Sequence, residues 1–188
     1  VFATCLKLRR KWHDFGDHST VLSINLSSKG LVDSSFMHIV ERLCLEHYYI
    51  PKGIQIEITE TALISNFDLA KEHLTRLKRL GFIIALDDFG AGYSSLTYLH
   101  QLPIDCMKID RSFSLNPGIN NNQDLILQAI LDLAHKLKLK VVAEGIETDK
   151  QKNFFLDMDC SLGQGFLFAK PEEEELANQR IIDRLEKN

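Results

Sequence analysis

The 188-residue sequence lacks the segments that mark membrane-spanning or secreted proteins, and its composition is that of a globular domain. It has only four prolines and one tryptophan, and no apolar run approaches the roughly 18 residues that a membrane-spanning helix needs. Its first residues show no hydrophobic stretch of the kind found in secretory signal peptides. We therefore expect a cytoplasmic domain, with any membrane anchor of the whole protein outside this sequence.

Cysteines are also few, and the net charge is small. The four cysteines lie far apart with no C-x-x-C pair, which argues against a disulfide framework or a zinc site and suits reduced thiols. A net charge of −4 gives no general attraction to nucleic acid or to anionic membranes, so we expect no direct DNA binding. A ligand that carries phosphate would need bound metal ions or individual lysines.

Short β-rich segments alternate with helical patterns, and 45% of the residues are hydrophobic, enough for one core. The pattern predicts strands at 20–26, 53–58, 82–86, 104–109, 140–143 and 163–168. It predicts helices at 1–12, 34–47, 68–80, 94–101, 123–137, 149–157 and 172–186. Strict alternation of strands and helices favours an α/β fold with a parallel sheet, either doubly wound or a (β/α)8 barrel.

Polar residues at the carboxyl ends of the predicted strands favour the barrel, whose active sites lie there. In five of the six strands these are Asn25, Glu57, Asp87 with Asp88, Lys108 and Glu144, while the sixth carries Gln164 between two glycines. Residues two apart on five strands would face one shared interior: Ser23/Asn25, Gln55/Glu57, Ala85/Asp87, Cys106/Lys108 and Val142/Glu144. A complete barrel has eight units and about 250 residues. We expect residues 1–188 to form one incomplete TIM-like (β/α)8 barrel with six strand-helix units, its first two lying upstream.

Four carboxylates and one amide would meet at this barrel mouth. Glu57, Asp87, Asp88, Glu144 and Asn25 offer the hard oxygen ligands that Mg²⁺ and Mn²⁺ prefer, and without cations the carboxylates would repel one another. The adjacent acids Asp87 and Asp88 suit two ions a few ångströms apart, an arrangement that supports phosphoester hydrolysis. The alternative is that these acids cap the helices that follow, which explains a single acid better than four.

Lys108 and Gln164 are the other polar candidates. Lys108 follows Cys106-Met107 on a strand expected to be buried, so its ammonium needs the acids or a substrate phosphate as partner. It can orient a nucleophilic water or form a structural ion pair, and the two roles are compatible. Gln164 lies between two glycines, where it can hydrogen-bond a base or a water, or simply belong to a tight barrel strand.

The segment Asp88-Phe-Gly matches a tripeptide of protein kinases. The sequence has no His-Arg-Asp catalytic loop, no Val-Ala-Ile-Lys strand and no G-x-G-x-x-G loop, so the kinase alternative fails. The loop continues through Gly90, Gly92, Ser94 and Ser95, which combine glycine flexibility with a serine pair able to cap a helix beside the acids.

Six segments together resemble the EAL family of cyclic di-GMP phosphodiesterases. They are Ser23-Ile-Asn-Leu-Ser27, Glu57-Ile-Thr-Glu60, Leu86-Asp-Asp-Phe-Gly-Ala-Gly-Tyr-Ser-Ser-Leu96, Lys108-Ile-Asp-Arg-Ser-Phe113, Ala143-Glu-Gly-Ile-Glu-Thr148 and Gly163-Gln-Gly-Phe166 with Lys170-Pro171. They occur in the family's order and cover almost the whole chain. The resemblance implies hydrolysis of one phosphodiester of cyclic di-GMP, with Mg²⁺ or Mn²⁺, to give the linear dinucleotide.

The resemblance also implies roles for individual residues. Metal binding would fall to Asn25, Glu57, Asp87, Asp88 and Glu144, and catalysis to Lys108, Glu144, Asp88 and Gln164. Lys108 would contact the nucleophilic water, and substrate contacts would come from Lys108, Asp110 and Gln164. Glu60 would tether the loop that holds Gly90, Gly92, Ser94 and Ser95, which affects metal binding, substrate binding and the dimer contact.

One expected motif is absent, because the Glu-Ala-Leu segment that names the family, with its metal-binding glutamate, would lie upstream of Val1. We therefore expect weak or no hydrolysis by these residues alone, and an active parent protein with upstream sensor or GGDEF domains. Two alternatives stay open. A receptor that binds the dinucleotide without hydrolysis would have that glutamate substituted. A scaffold would pair two copies of the barrel, and a homodimer is also compatible with catalysis.

Overall fold

A computed structural model of the chain describes residues 1–46, 51–64, 66–91, 99–115, 118 and 121–187. In chain order, the elements are α1 (Phe2–Asp14), β1 (Leu22–Asn25), α2 (Ser28–Leu31), α3 (Phe36–Glu46), β2 (Ile54–Thr59), α4 (Glu60–Ile64), α5 (Phe67–Leu80), β3 (Ile83–Phe89), β4 (Cys106–Ile109), α6 (Ser112–Leu115), α7 (Asn121–Lys136), β5 (Lys140–Ala143), α8 (Asp149–Asp157), β6 (Leu162–Gly163) and α9 (Glu174–Leu185).

The six strands form one parallel sheet in sequential order, from β1 to β6. A doubly wound sheet reverses its strand order at a switch point, whereas a barrel adds each strand beside the previous one. The sheet curls into a half-barrel with helices on its outer side, which confirms the predicted α/β barrel architecture.

Alternation along the strands separates the helix-covered side of the sheet from its inner side. In β2 the outer residues are completely buried in the hydrophobic core: Ile54, Ile56 and Ile58. Leu74 and Leu77 of α5 belong to the same core. Gln55 and Glu57 therefore point to the opposite, inner side, since successive side chains of a strand alternate.

Local signals set several helix ends. The Asn66 side chain accepts a hydrogen bond from the backbone N–H of Leu69 at the start of α5, and Gly81 ends this helix at a φ of 102°. Thr148 and Gln151 form a reciprocal capping box at the start of α8. Such caps satisfy backbone groups that have no partner within the helix.

The last helix packs against the first one. The Trp12 indole N–H donates to the side-chain oxygen of Asn178 at 2.6 Å, and both residues are buried. The Arg184 guanidinium lies 2.7 Å from the fully buried carboxylate of Asp17, which follows α1. Residues 166 positions apart in sequence thus join the two ends of the described chain.

The sixth strand was predicted too long. It covers Leu162–Gly163 and not 163–168, so Gln164 follows the strand instead of lying within it. The chain turns because the backbone of Gly165 packs directly on that of Ile146, and the amides of Phe168 and Ala169 both donate to the Gly165 carbonyl.

The other predicted strands and the long helices agree with the structure to within a few residues, and the short helices α2, α4 and α6 were missed. Most of the predicted helix 94–101 lies outside the described residues. Among the residues described, no helix combines the length and the apolar character needed to cross a membrane.

Candidate active site

The strand register brings the predicted site residues to one side of the sheet. Asn25 of β1 pairs with Glu57 of β2, and Thr59 of β2 pairs with Asp87 of β3. Lys108 of β4 pairs with Val142, two residues before Glu144. Parallel pairing keeps laterally paired side chains on one face, so the residues predicted to share an interior do so.

Lys108 is the centre of the cluster. Its Nζ lies 3.1 Å from Glu57 Oε2, 2.8 Å from Asp87 Oδ1 and 2.7 Å from Glu144 Oε1. Only 5% of its side chain is exposed. Burial lowers the pKa of Lys108, but hydrogen bonds to Asp87 and Glu144 and the charge of Glu57 outweigh it, so the pKa is raised. The ammonium therefore stays charged and joins carboxylates from three strand ends.

Asp87 and Asp88 reach the same site through a β-bulge. Leu86 pairs with Met107 and Phe89 with Ile109, so the two aspartates oppose Lys108 alone. Asp88 has a φ of 53°, in the left-handed region that non-glycine residues rarely adopt. Carboxylate oxygens of Asp87, Asp88 and Glu144 all lie within 4.8 Å of one another. A regular strand would send consecutive side chains to opposite faces.

Burial and like charges raise the pKa values of two of these acids. For Glu144, burial is the main cause and the charges of Asp87 and Asp88 add to it, while Lys108 opposes the shift. For Asp88, burial again comes first, followed by the charges of Asp87 and Asp110. Burial therefore disfavours the charged form of both acids, and the neighbouring carboxylates add to this effect.

The cluster fits divalent metal ions by its donor chemistry. Glu57, Asp87, Asp88 and Glu144 supply four carboxylates, and Lys108 offsets one of these charges. Oxygen donors of this kind suit Mg²⁺ and Mn²⁺ better than softer metals. Asn25 lies exposed at the end of β1, in register with Glu57, and its role as a metal ligand stays a prediction.

An open cleft of about 310 Å³ lies next to the acids. It is lined by Asp88, Asp110, Arg111, Glu144, Gly145, Glu147, Gln164, Gly165 and Phe166. Asp110 accepts a hydrogen bond from the backbone N–H of Ser112 at 2.9 Å. The backbone of Gln164 is held on both sides, since its N–H donates to the Ala143 carbonyl and its carbonyl accepts from Ile146. Of the predicted substrate contacts, Asp110 and Gln164 line the cleft and Lys108 lies behind Glu144, and their roles stay predictions.

The loop after β3 is attached to α4. Glu60 Oε1 accepts a hydrogen bond from the backbone N–H of Gly90 at 3.2 Å. Gly90 has a φ of 92°, and a Cβ there would lie 2.6 Å from the Phe113 ring. This contact is compatible with the predicted tethering role of Glu60, which stays a prediction. The other predicted loop residues, Gly92, Ser94 and Ser95, lie outside the described residues.

Several residues at the site have no role in the sequence interpretation. Arg111, Glu147 and Phe166 line the cleft. Each lies within three residues of one that is assigned a role, and Arg111 and Glu147 also follow a predicted strand end, which was the available signal. Gln55 was placed on the inner face, but its hydrogen bond to Glu57 Oε1, at 3.0 Å, was not foreseen.

Cys106 also points inward but is chemically quiet. Burial raises the pKa of its thiol to about 11, with smaller and opposing influences from neighbouring charges. A thiol that stays protonated near neutral pH is a poor nucleophile and metal ligand. The cluster therefore relies on oxygen donors.

Known proteins share both the sequence and the fold. Over 147 residues the chain is 44% identical to the cyclic di-GMP phosphodiesterase NbdA of Pseudomonas aeruginosa. This alignment covers 78% of the chain and 18% of NbdA. It is 34% identical over 175 residues to the cyclic di-GMP phosphodiesterase RocR of the same organism, covering 93% of the chain and 44% of RocR. The chain thus spans less than half of these curated relatives.

A solved structure described as PaMucR phosphodiesterase in complex with c-di-GMP superposes with a TM-score of 0.87 at 34% identity. The match covers 94% of this chain and 71% of that one. The family model described as EAL domain matches residues 1–171. That range contains every strand of the half-barrel and all of the carboxylates around Lys108. The chain therefore belongs to the EAL domain family.

Proposed function

We propose that this chain carries the active site of a metal-dependent phosphodiesterase that hydrolyses cyclic di-GMP to the linear dinucleotide. The observation that carries the proposal is the convergence of Glu57, Asp87 and Glu144 on Lys108, with Asp88 beside them. Related proteins named as cyclic di-GMP phosphodiesterases, and the complex of PaMucR with c-di-GMP, support the choice of substrate.

Glu57, Asp87, Asp88, Glu144 and Asn25 would hold Mg²⁺ or Mn²⁺. When bound, these ions neutralise phosphate charge and lower the pKa of a coordinated water. In the reaction a water oxygen bonds to phosphorus and one phosphodiester P–O bond breaks. The attacking water gives up a proton to a basic group of the site, and the oxygen of the broken P–O bond takes up a proton.

Lys108 is the residue that we propose to contact that water. Its raised pKa keeps it a hydrogen-bond donor near neutral pH, so it orients the water and does not accept its proton. The dinucleotide would lie in the cleft bordered by Asp110, Gln164 and Phe166, beside the acids. We also propose that the protein is cytoplasmic and dimeric, with sensor or GGDEF domains elsewhere in its sequence.

The test is hydrolysis of cyclic di-GMP by the full-length protein that contains this chain, with Mg²⁺, with Mn²⁺ and with EDTA. We expect turnover to the linear dinucleotide that needs the metal and falls more than about 100-fold in Glu57→Ala, because loss of a metal ligand removes several kcal/mol of transition-state stabilisation. The matched control is Glu46→Ala, which removes an exposed glutamate of a surface pair with Arg42.

Binding of the dinucleotide by the wild type without turnover, in either metal, would contradict the proposal and favour the receptor alternative. Reading the encoding gene upstream tests the predicted Glu-Ala-Leu segment directly. The 188-residue chain, assayed beside the full-length protein, tests the expectation that it is weakly active or inactive by itself.

A further inference from the structure

Gln55 is an uncharged residue whose side chain hydrogen-bonds to the carboxylate cluster. It lies on β2 two residues before Glu57, on the same face and one row closer to the start of the strand. Its Nε2 donates to Glu57 Oε1 at 3.0 Å and to Ser23 Oγ, on the neighbouring strand β1, at 3.2 Å. Ser23 and Gln55 are register partners, so the second contact bridges two strands.

These contacts divide the two oxygens of Glu57 between two donors. Oε2 faces the Lys108 ammonium at 3.1 Å, and Oε1 accepts from Gln55. Because a carboxylate only accepts hydrogen bonds, the NH₂ group of Gln55 must be the side of the amide that faces it. The contact with Ser23 engages the same nitrogen, so the orientation of the amide is set from two directions.

From this geometry we infer that Gln55 is a positioning residue for the Glu57 carboxylate. By holding Oε1, it fixes the side-chain rotation that directs Oε2 toward the centre of the cluster. Hydrogen bonds to metal-binding carboxylates from neighbouring groups orient the ligand before the ion arrives, and their loss costs about 10–100-fold in metal affinity or activity. The inference rests on the proposed metal-dependent function and adds a residue to it.

The neutral charge of Gln55 suits this role. The cluster already holds four carboxylates near one lysine, so a glutamate at position 55 would add repulsion. A lysine there would pair with Glu57 and compete with the metal for it. An amide supplies a donor without either effect.

The experiment measures Mn²⁺ affinity by titration calorimetry on the full-length protein, for wild type, Gln55→Leu and Gln55→Met. Both variants keep the bulk of the side chain but cannot donate. We expect Mn²⁺ binding about 10-fold weaker in both, with melting temperatures in EDTA close to that of the wild type. In hydrolysis assays, kcat/KM falls more at low Mn²⁺ than at saturating Mn²⁺, a dependence that a merely structural role would not produce.

Gln128→Leu is the matched control. Gln128 donates through Nε2 to Asp132 Oδ1 at 2.9 Å on the exposed surface of α7, so the same chemical change is made far from the cluster. Mn²⁺ affinity there is expected to match the wild type. Ser23→Ala removes only the second contact of the Gln55 amide, so a smaller loss, about 2–3-fold, is expected.

The variant Glu57→Gln distinguishes a wrong metal site from a wrong positioning role of Gln55. If it leaves Mn²⁺ affinity unchanged, the proposed metal site is wrong. If it abolishes binding while both Gln55 variants bind Mn²⁺ like the wild type, the positioning role is overturned and the metal site stands. A loss of affinity in Gln55→Leu that Gln55→Met does not share would also overturn it, because neither side chain donates.

Discussion

The carboxylates of Asp87 and Asp88 lie within 4.8 Å of each other, on the same face of the sheet. The two residues are consecutive in one strand, where side chains normally alternate between faces. The left-handed backbone of Asp88, with a φ of 53°, and the bulge against β4 make the shared face possible. A left-handed conformation costs a non-glycine residue about 1–2 kcal/mol. The fold thus keeps a strained residue at the point where two neighbouring carboxylates meet.

Substitutions at Asp88 separate strain from ligand chemistry. We expect Asp88→Gly and Asp88→Ala to weaken Mn²⁺ binding alike, because both remove the carboxylate. The glycine variant should unfold with a free energy about 1 kcal/mol higher than the alanine variant, since glycine adopts positive φ without a Cβ clash. Urea denaturation in EDTA measures the difference. Equal stability of the two variants would contradict the strain at this position.

Lys108→Met should destabilise the metal-free protein by about 3–5 kcal/mol, because removing one partner of a buried ionic cluster leaves the other charges uncompensated. The ammonium that is lost faces three carboxylates. Thermal and urea unfolding in EDTA measure the effect, and added Mn²⁺ should restore part of it. Lys152→Met, which removes an exposed pair with Asp149, is the control and should cost less than about 1 kcal/mol. Equal losses would show that Lys108 has no special electrostatic role.

The buried carboxylate of Asp17 makes stability depend on pH. Burial raises its pKa, but hydrogen bonds from Thr20 and Ser19 outweigh this and lower it to about 2, below the usual 3.8. The folded state therefore holds fewer protons than the unfolded state, so the contribution of Asp17 is complete above about pH 5 and is lost as pH falls toward 2.

Asp17→Asn should cost about 2 kcal/mol at pH 7 by weakening the bonds from Thr20, Ser19 and Arg184, and the gap to the wild type should close between about pH 4 and pH 2. Urea unfolding at a series of pH values checks it. Asp14→Asn, in the exposed pair with Arg10, serves as the control and should cost less than about 1 kcal/mol. A gap that stays constant down to pH 2 would rule out a lowered pKa of Asp17.

Gly165→Ala should destabilise the protein by about 2–3 kcal/mol and weaken binding of cyclic di-GMP. A Cβ at Gly165 would lie 2.2 Å from the backbone oxygen of Ile146, so the segment that carries Gln164 must shift. Gly16→Ala is the comparison, because Gly16 has a φ of 94° and open space around it, so only the backbone strain of about 1 kcal/mol applies. Denaturation and dinucleotide titration report the two effects, and a fully stable Gly165→Ala variant would contradict the close packing.

Several features of the site could be predicted from local patterns. Alternation along β2 placed Gln55 and Glu57 together, and polar residues at strand ends identified Asn25, Asp87, Lys108 and Glu144 as neighbours. This works because hydrophobic periodicity is a property of a few consecutive residues, and because parallel strands bring their carboxyl ends to one edge. The succession of six motifs also identified the family, whose model matches residues 1–171.

The amino-acid sequence by itself determined the order of strands and helices, the inner face of each strand and the acidic character of the barrel mouth. Only the tertiary structure decided the bulge at Asp88, the short sixth strand, the three carboxylates around Lys108, the bond from Gln55 to Glu57 and the contact of Trp12 with Asn178. The bulge depends on the register between two strands, and the other contacts depend on exact side-chain distances or on residues far apart in sequence. Those quantities are set by how the whole sheet curls and packs, which no short stretch of residues encodes.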